Sequence, residues 1–118
     1  MRILHASFLV SDLEASLRFY GKLLGLEIDE ARPDPGFPGL WFNLECGQQI
    51  HLIGLGSPER GRPTHGGRDR HVAFSVENLD ELASKLDKAE IPYAMSRSGR
   101  RALFCRDPDG NALEFAEA

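Results

Sequence analysis

The chain has 118 residues, 42% of them hydrophobic, with 18 acidic against 14 basic side chains, a formal charge of −4 and a pI near 5.5. This suits one compact globular unit with a real core, and the acidic balance excludes a general nucleic-acid binder, which needs a basic footprint to displace counterions. No apolar run reaches the roughly 20 residues of a membrane span and no signal-peptide pattern opens the chain, so a cytoplasmic protein with no membrane partner is expected.

Residues 3 to 10 alternate with period two and suit a strand, His5, Ser7 and Leu9 on one face and Leu4, Ala6, Phe8 and Val10 on the other. A helix follows over about 12 to 24. Ser11 and Glu14 form its capping box, Leu13, Leu17, Tyr20 and Leu24 its apolar stripe, and Gly25 its end. Residues 26 to 32 read as a second strand, and the run from Pro33 to Gly39 as a loop. Strands at about 40 to 46 and 48 to 54, joined by a tight turn at Gly47, complete a β-α-β-β-β order.

Residues 55 to 69, rich in glycine, proline and charge, read as a linker. A strand at 70 to 76 follows, then a helix with Asn78 and Glu81 in the capping-box positions and a stripe of Leu79, Leu82, Ala83 and Leu86. Pro92 prevents its continuation. Strands near 93 to 97, 101 to 106 and 111 to 116 are separated by Ser98-Gly99 and Asp107-Pro-Asp-Gly110. Cys46 and Cys105 lack C-x-x-C spacing and read as buried thiols of a reducing compartment.

The same order thus occurs twice, and the sequence repeats with it. His5-Ala-Ser-Phe-Leu-Val is echoed by His71-Val-Ala-Phe-Ser-Val, and Gly47-Gln-Gln-Ile-His51-Leu by Gly110-Asn-Ala-Leu-Glu114-Phe. A repeat of this length in so short a chain means two copies of one module, about 1 to 54 and 70 to 118, forming a single α+β domain over 1 to 118.

Strand alternation puts His51 and Glu114 on equivalent faces, and His5 and His71 each open a first strand. If the sheets pair about a pseudo-twofold axis, all four converge as a His, His, His, Glu metal site. Imidazole and carboxylate suit a borderline divalent ion such as Zn, Ni, Co, Mn or Fe, and the absence of thiolate argues against a closed structural zinc site. His65 has no symmetry mate and is not expected to be a ligand. Arg60, Arg62, Arg68 and Arg70 cluster in or beside the linker and Arg97, Arg100 and Arg101 near the second turn, as solvated charge or as a rim for an anionic small molecule.

The His-led first strand, Asp12-Leu-Glu-Ala-Ser-Leu-Arg-Phe-Tyr20 with Leu23-Leu-Gly-Leu26, His71-Val-Ala-Phe, and Asp107-Pro-Asp-Gly-Asn-Ala-Leu-Glu114 together resemble the vicinal oxygen chelate superfamily of glyoxalases, bleomycin-resistance proteins and extradiol dioxygenases. The resemblance spans essentially the whole chain. It implies paired β-α-β-β-β modules whose mixed sheets curl into a metal-holding cup, commonly a homodimer. The family's metal positions fall on His5, His51, His71 and Glu114; His51 is the departure, since glyoxalase I usually has a carboxylate or Gln there.

A glyoxalase-like lyase or isomerase is implied, working next to a carbonyl through a metal-stabilised enediolate, with Glu114 as ligand and base and His51 as a base only when off the metal. The substrate would be a small molecule, anionic or thiol-conjugated, with Ser7, Trp41, Arg97 and Arg101 as candidate contacts. Alternatives are a fosfomycin-type thiol transferase, whose ion-binding loop Ser96-Arg97-Ser98-Gly99 resembles, and a ring-cleaving dioxygenase. A non-catalytic bleomycin-type binder is the rival of another class; Trp41, Phe42, Phe37 and Phe104, otherwise sheet core, would line its pocket. The four ligands could come from one chain or be shared between two.

Overall fold

The computed structural model describes residues 1–118, and the chain divides into two compact units, Met1–Pro58 and Glu59–Ala118. Each unit is a four-stranded mixed sheet with helical structure on one side, so the architecture is α+β and the two-module order is observed. The boundary falls inside the expected linker. Residues from Glu59 onward belong to the second unit, where the Glu59 N–H donates to the Asp109 carbonyl (2.9 Å) and Arg62 pairs with Asp69 (2.9 Å).

In the first unit, β1 (His5–Leu9), β2 (Glu27–Ile28), β3 (Gly39–Asn43) and β4 (Gln49–Ile53) pair in the order β1-β4-β3-β2, with β1 parallel to β4 and the other pairs antiparallel. Between β1 and β2 runs α1 (Leu13–Ser16), which continues as a π-helical stretch, Leu17–Leu23. Alternation along the strands sends Phe42, Ile50 and Leu52 to one face, where they are fully buried with Val10, Phe19 and Tyr20.

Several local expectations are corrected. The cap of α1 is Asp12 rather than Ser11: its carboxylate accepts from the N–H groups of Glu14 (3.0 Å) and Ala15 (3.1 Å), satisfying the open donors of the first turn. The helix widens after one turn, the Leu24 N–H reaching the Phe19 carbonyl five residues back (3.0 Å), and the residues it buries are Ser16, Phe19 and Tyr20. Leu24 stays half-exposed, and Gly25 (φ +76°) ends the run as expected. The strand expected over 26 to 32 shrinks to Glu27–Ile28, and Arg32 instead ties the following loop by donating to the Phe37 carbonyl (2.9 Å). The turn between β3 and β4 holds two successive left-handed residues, Cys46 (φ 57°) and Gly47 (φ 74°). This lifts Cys46 out of the sheet, so it is exposed, whereas Cys105 is buried as expected.

The second unit repeats the plan with β5 (His71–Val76), α2 (Leu79–Lys88), β6 (Tyr93–Met95), β7 (Ala102–Arg106) and β8 (Ala112–Glu117), paired β5-β8-β7-β6 with β5 parallel to β8. The side chain of Asn78 accepts from the Glu81 N–H (3.0 Å), and the carboxylate of Glu117 on β8 accepts from the Leu79 N–H (3.0 Å), so two open donors of α2 are satisfied. Leu79, Leu82 and Leu86 are buried, and Leu103, Leu113 and Phe115 of β7 and β8 are also core. The turn between β7 and β8 is held by the Asp107 carboxylate, which accepts from the N–H groups of Asp109 and Asn111, each at 2.9 Å. Gly110 (φ +90°) can occupy it because a Cβ there would strike the Glu59 carbonyl.

Burial first, and Asp107 second, push the Cys105 thiol up to about 12. Native protein should therefore show one thiol that reacts readily with dithionitrobenzoate at neutral pH and one that reacts only after denaturation. Cys46→Ser should remove the ready one, and a prompt reaction that survives this substitution would place Cys105 at the surface.

The Leu79 N–H first, and Arg101 second, hold the Glu117 carboxyl below the ordinary glutamate value of 4.5. A lowered folded value means that the stabilisation is present above about pH 4.5 and is lost as the pH falls through the folded value. Urea melts of Glu117→Gln should show less loss of stability across that acid window than the wild type; an identical acid limb would remove Glu117 from the groups responsible.

Candidate metal centre and active site

The pairing registers determine which side chains share a row. In the first unit Ser7, His51 and Trp41 stand opposite one another across β1, β4 and β3, and the adjacent row holds His5, Gln49 and Asn43. All lie on the face away from the buried core. The rings form a continuous stack: His5 on His51 at 3.9 Å between centroids and 15° between planes, and His51 on Trp41 at 4.0 Å and 3°.

Hydrogen bonds then decide the tautomer of His51. Gln49 donates its amide nitrogen to Asp29 (2.7 Å) and Asn43 (2.8 Å), so its oxygen, 2.9 Å from His51 Nε2, accepts from that nitrogen. The lone pair of His51 lies on Nδ1. Burial first, then the charges of His5 and Arg32, pull the His51 pKa below the ordinary 6.5 against the opposing pull of Asp29, so the ring is neutral at pH 7, the state in which an imidazole binds metal.

In the second unit Ala73, Glu114 and Phe104 share a row across β5, β8 and β7, with His71, Ala112 and Arg106 in the next. Trp41 and Phe104 are thus equivalent aromatic neighbours of His51 and Glu114, a correspondence absent from the sequence reading. Glu114 is only 5% exposed. Its Oε1 is 3.1 Å from His71 Nε2, and its Oε2 accepts from the Arg100 guanidinium at 2.7 Å. His71 Nδ1 is 2.9 Å from the Asp69 carbonyl, which can only accept, so Nδ1 carries the proton. In the neutral ring Nε2 then presents a lone pair to a carboxylate lone pair, an arrangement that calls for a proton or a cation between them.

The family's cofactor can be tested against these residues. The donors are two imidazoles in one unit and an imidazole with a carboxylate in the other, and His71 donates its remote N–H to a backbone carbonyl, the outer contact typical of a ligating histidine. This donor chemistry fits a divalent ion. Nowhere in the structure do three or more His, Cys, Asp or Glu side chains gather at one point.

The arginines sort differently from the sequence reading. Arg101 pairs with Asp80 (3.1 Å) and Glu117 (3.3 Å). By the alternation of β8, Glu117 and Glu114 lie on opposite faces. Arg100, noted only as part of a charged cluster, is the arginine that reaches Glu114, while Arg97 is exposed. Arg100 follows the left-handed turn at Gly99 (φ +82°), and nothing in the sequence separates it from its neighbour Arg101. His65 stacks on Phe104 at 4.3 Å and accepts from the Gly67 N–H (3.3 Å), placing it beside the aromatic ring that also packs edge-on against His71 (5.6 Å).

Two successive β-α-β-β-β units, each opening its first strand with a histidine, define a paired-module class of α+β protein. Residues 2–115 match the Glyoxalase/Bleomycin resistance protein/Dioxygenase superfamily, and the chain belongs to it. It is 31% identical over 119 residues to Glyoxylase I 4 of Arabidopsis thaliana, covering 94% of this chain and 67% of that protein. It is 30% identical over 130 residues to mitochondrial methylmalonyl-CoA epimerase of Homo sapiens, covering 99% and 74% respectively. Among solved structures, a glyoxalase family protein of Bacillus anthracis superposes with a TM-score of 0.77 at 26% identity, over 99% of this chain and 94% of that one.

The causes acting on His51 can be separated by NMR. His5→Ala should raise the His51 pKa, as followed by its ring protons, yet leave it below 6.5, because burial outweighs the charge of His5. No upward movement would exclude His5 as an electrostatic neighbour.

Proposed function

We propose that this protein is a divalent-metal-dependent lyase or isomerase that moves a proton next to a carbonyl of a small, anionic or thiol-conjugated substrate. The observation that supports it most is the contact of 3.1 Å between His71 Nε2 and Glu114 Oε1, with Nδ1 turned to the Asp69 carbonyl, so that in the neutral ring Nε2 is the nitrogen that would bind an ion. His5, His51, His71 and Glu114 would hold the ion; Zn, Ni, Co, Mn and Fe all suit this donor set. When bound, the ion supplies a Lewis acid that stabilises negative charge developing on a substrate oxygen.

The remaining work falls to the chain. Glu114 is the proton carrier: it is buried, and Arg100 at 2.7 Å holds one oxygen in place, leaving the other to accept. When off the metal, His51 would be a second acceptor through Nδ1, neutral at pH 7 and oriented by Gln49 and the flanking rings. Trp41 and Ser7, in the row of His51, would contact the substrate body, and the exposed Arg97 and the guanidinium of Arg100 its anionic group. Similarity to a glyoxalase and to an epimerase supports this reaction type over ring cleavage. A homodimer is part of the proposal.

Isothermal titration of zinc into chelator-treated protein should show stoichiometric binding that His71→Ala abolishes. Glu114→Gln should retain weaker binding and lower turnover of an α-hydroxycarbonyl substrate, such as the hemithioacetal of a 2-oxoaldehyde, by roughly 10²–10⁴-fold. Full zinc binding by His71→Ala would sink the site, and a fully active Glu114→Gln would sink the role of the carboxylate. Mixing His5→Ala/His51→Ala protein with His71→Ala/Glu114→Gln protein should regain zinc binding if two chains share ligands, and not if one chain supplies them all.

A further inference from the structure

Arg106, at the end of β7, has a side chain only 12% exposed and reaches three acceptors from separate parts of the second unit. Its Nε donates to the Pro63 carbonyl (2.7 Å), and one terminal nitrogen donates both to Asp69 Oδ2 (3.0 Å) and to the Gly110 carbonyl (2.8 Å). Asp69 is fixed from its other oxygen too, by Arg62 (2.9 Å) and by the Arg70 N–H (2.9 Å), and its own N–H donates to Gly66 (3.0 Å). The backbone carbonyl of this immobilised residue is the one that accepts from His71 Nδ1.

We propose that Arg106 is a positioning residue for His71. By clamping Asp69 against the β7–β8 turn it aims the Asp69 carbonyl at Nδ1, and so keeps the ring in the tautomer whose Nε2 lone pair faces Glu114. The proton of a free neutral histidine sits mainly on Nε2, so the opposite form has to be imposed, and a charge-assisted contact to a nearly buried guanidinium is strong enough to impose it. The clamp lies on the far side of His71 from Glu114 and needs no contact with substrate or ion. This rests on Nε2 being the working nitrogen, as proposed above.

The test is a long-range ¹H–¹⁵N spectrum of the imidazoles of the full chain, at a pH where His71 is neutral, with zinc titration of the same samples. Wild type should show His71 as the Nδ1–H form. Arg106→Gln should release it toward the Nε2–H form and weaken zinc binding by about tenfold, the scale expected for losing an outer contact of a ligand. Asp69→Asn, which keeps the backbone carbonyl and removes the ion pairs, serves as the second variant and decides the matter if Arg106→Gln fails to fold.

A folded variant of lowered melting temperature whose His71 stays in the Nδ1–H form would overturn the proposal, since Arg106 would then be structural only. The two readings fail separately. If wild type binds no zinc yet His71 changes tautomer in the variants, the positioning role stands without the metal; if zinc binds and the tautomer never moves, the metal reading stands alone.

Discussion

Parallel hydrogen bonding between the first and last strands of each unit, His5–Leu9 with Gln49–Ile53 and His71–Val76 with Ala112–Glu117, sets everything that the site depends on. A parallel pair cannot be closed by a tight turn, so a helix and two further strands must lie between its members. The register then assigns faces with period two. On one face Ile50, Leu52, Leu113 and Phe115 are forced into the core; on the other, His51 and Glu114 sit one row from His5 and His71. A slip of one residue in either pairing would bury the histidine or the carboxylate among leucines, a loss the apolar face resists across several buried side chains at once.

That face assignment was legible in the sequence because it needs only alternation and the internal repeat. The second helix was legible to its cap, since Asn78, Glu81 and the leucine stripe are local signals that agree with one another. Less of the first helix was. Ser11 and Asp12 are both good caps, and the choice between them depends on which one the chain reaches in extended conformation as it leaves β1. The π-helical stretch was not legible at all, because its pattern follows from seating Phe19 and Tyr20 against Phe42, a tertiary fit. Cys46 was misplaced for a related reason: apolar side chains read as buried unless the backbone turns them out, and the left-handed turn does so.

The ligand candidates were legible as types and positions, whereas their partners were not. Nothing in the sequence chooses between Arg100 and Arg101 for Glu114. Strand parity at β8 does, sending Arg101 to Glu117 and Asp80 and leaving Arg100 on the side of Glu114. Equally, the equivalence of Trp41 and Phe104 emerges only when β3 and β7 are laid beside their neighbours. Each unit therefore carries an aromatic ring beside its β4 or β8 site residue, and the two halves then diverge in how they stabilise that residue. The first uses ring stacking and neutral hydrogen bonds, which favour an uncharged His51; the second sets an arginine and a histidine around Glu114.

This division has an electrostatic consequence. A carboxylate that is only 5% exposed is costly to leave uncompensated, and breaking a buried ion pair typically loses about 3–5 kcal/mol. Arg100 compensates one oxygen of Glu114, but it does so from an exposed position and through a single nitrogen, so it does not cancel the charge at the other oxygen. That second oxygen faces Nε2 of His71, whose other ring nitrogen donates to the Asp69 carbonyl. The sheet thus holds a ring nitrogen and a carboxylate oxygen 3.1 Å apart, where a proton or a cation can sit between them. Under the metal reading proposed above, folding has already brought these two groups together, and their compensation would be left to the ion.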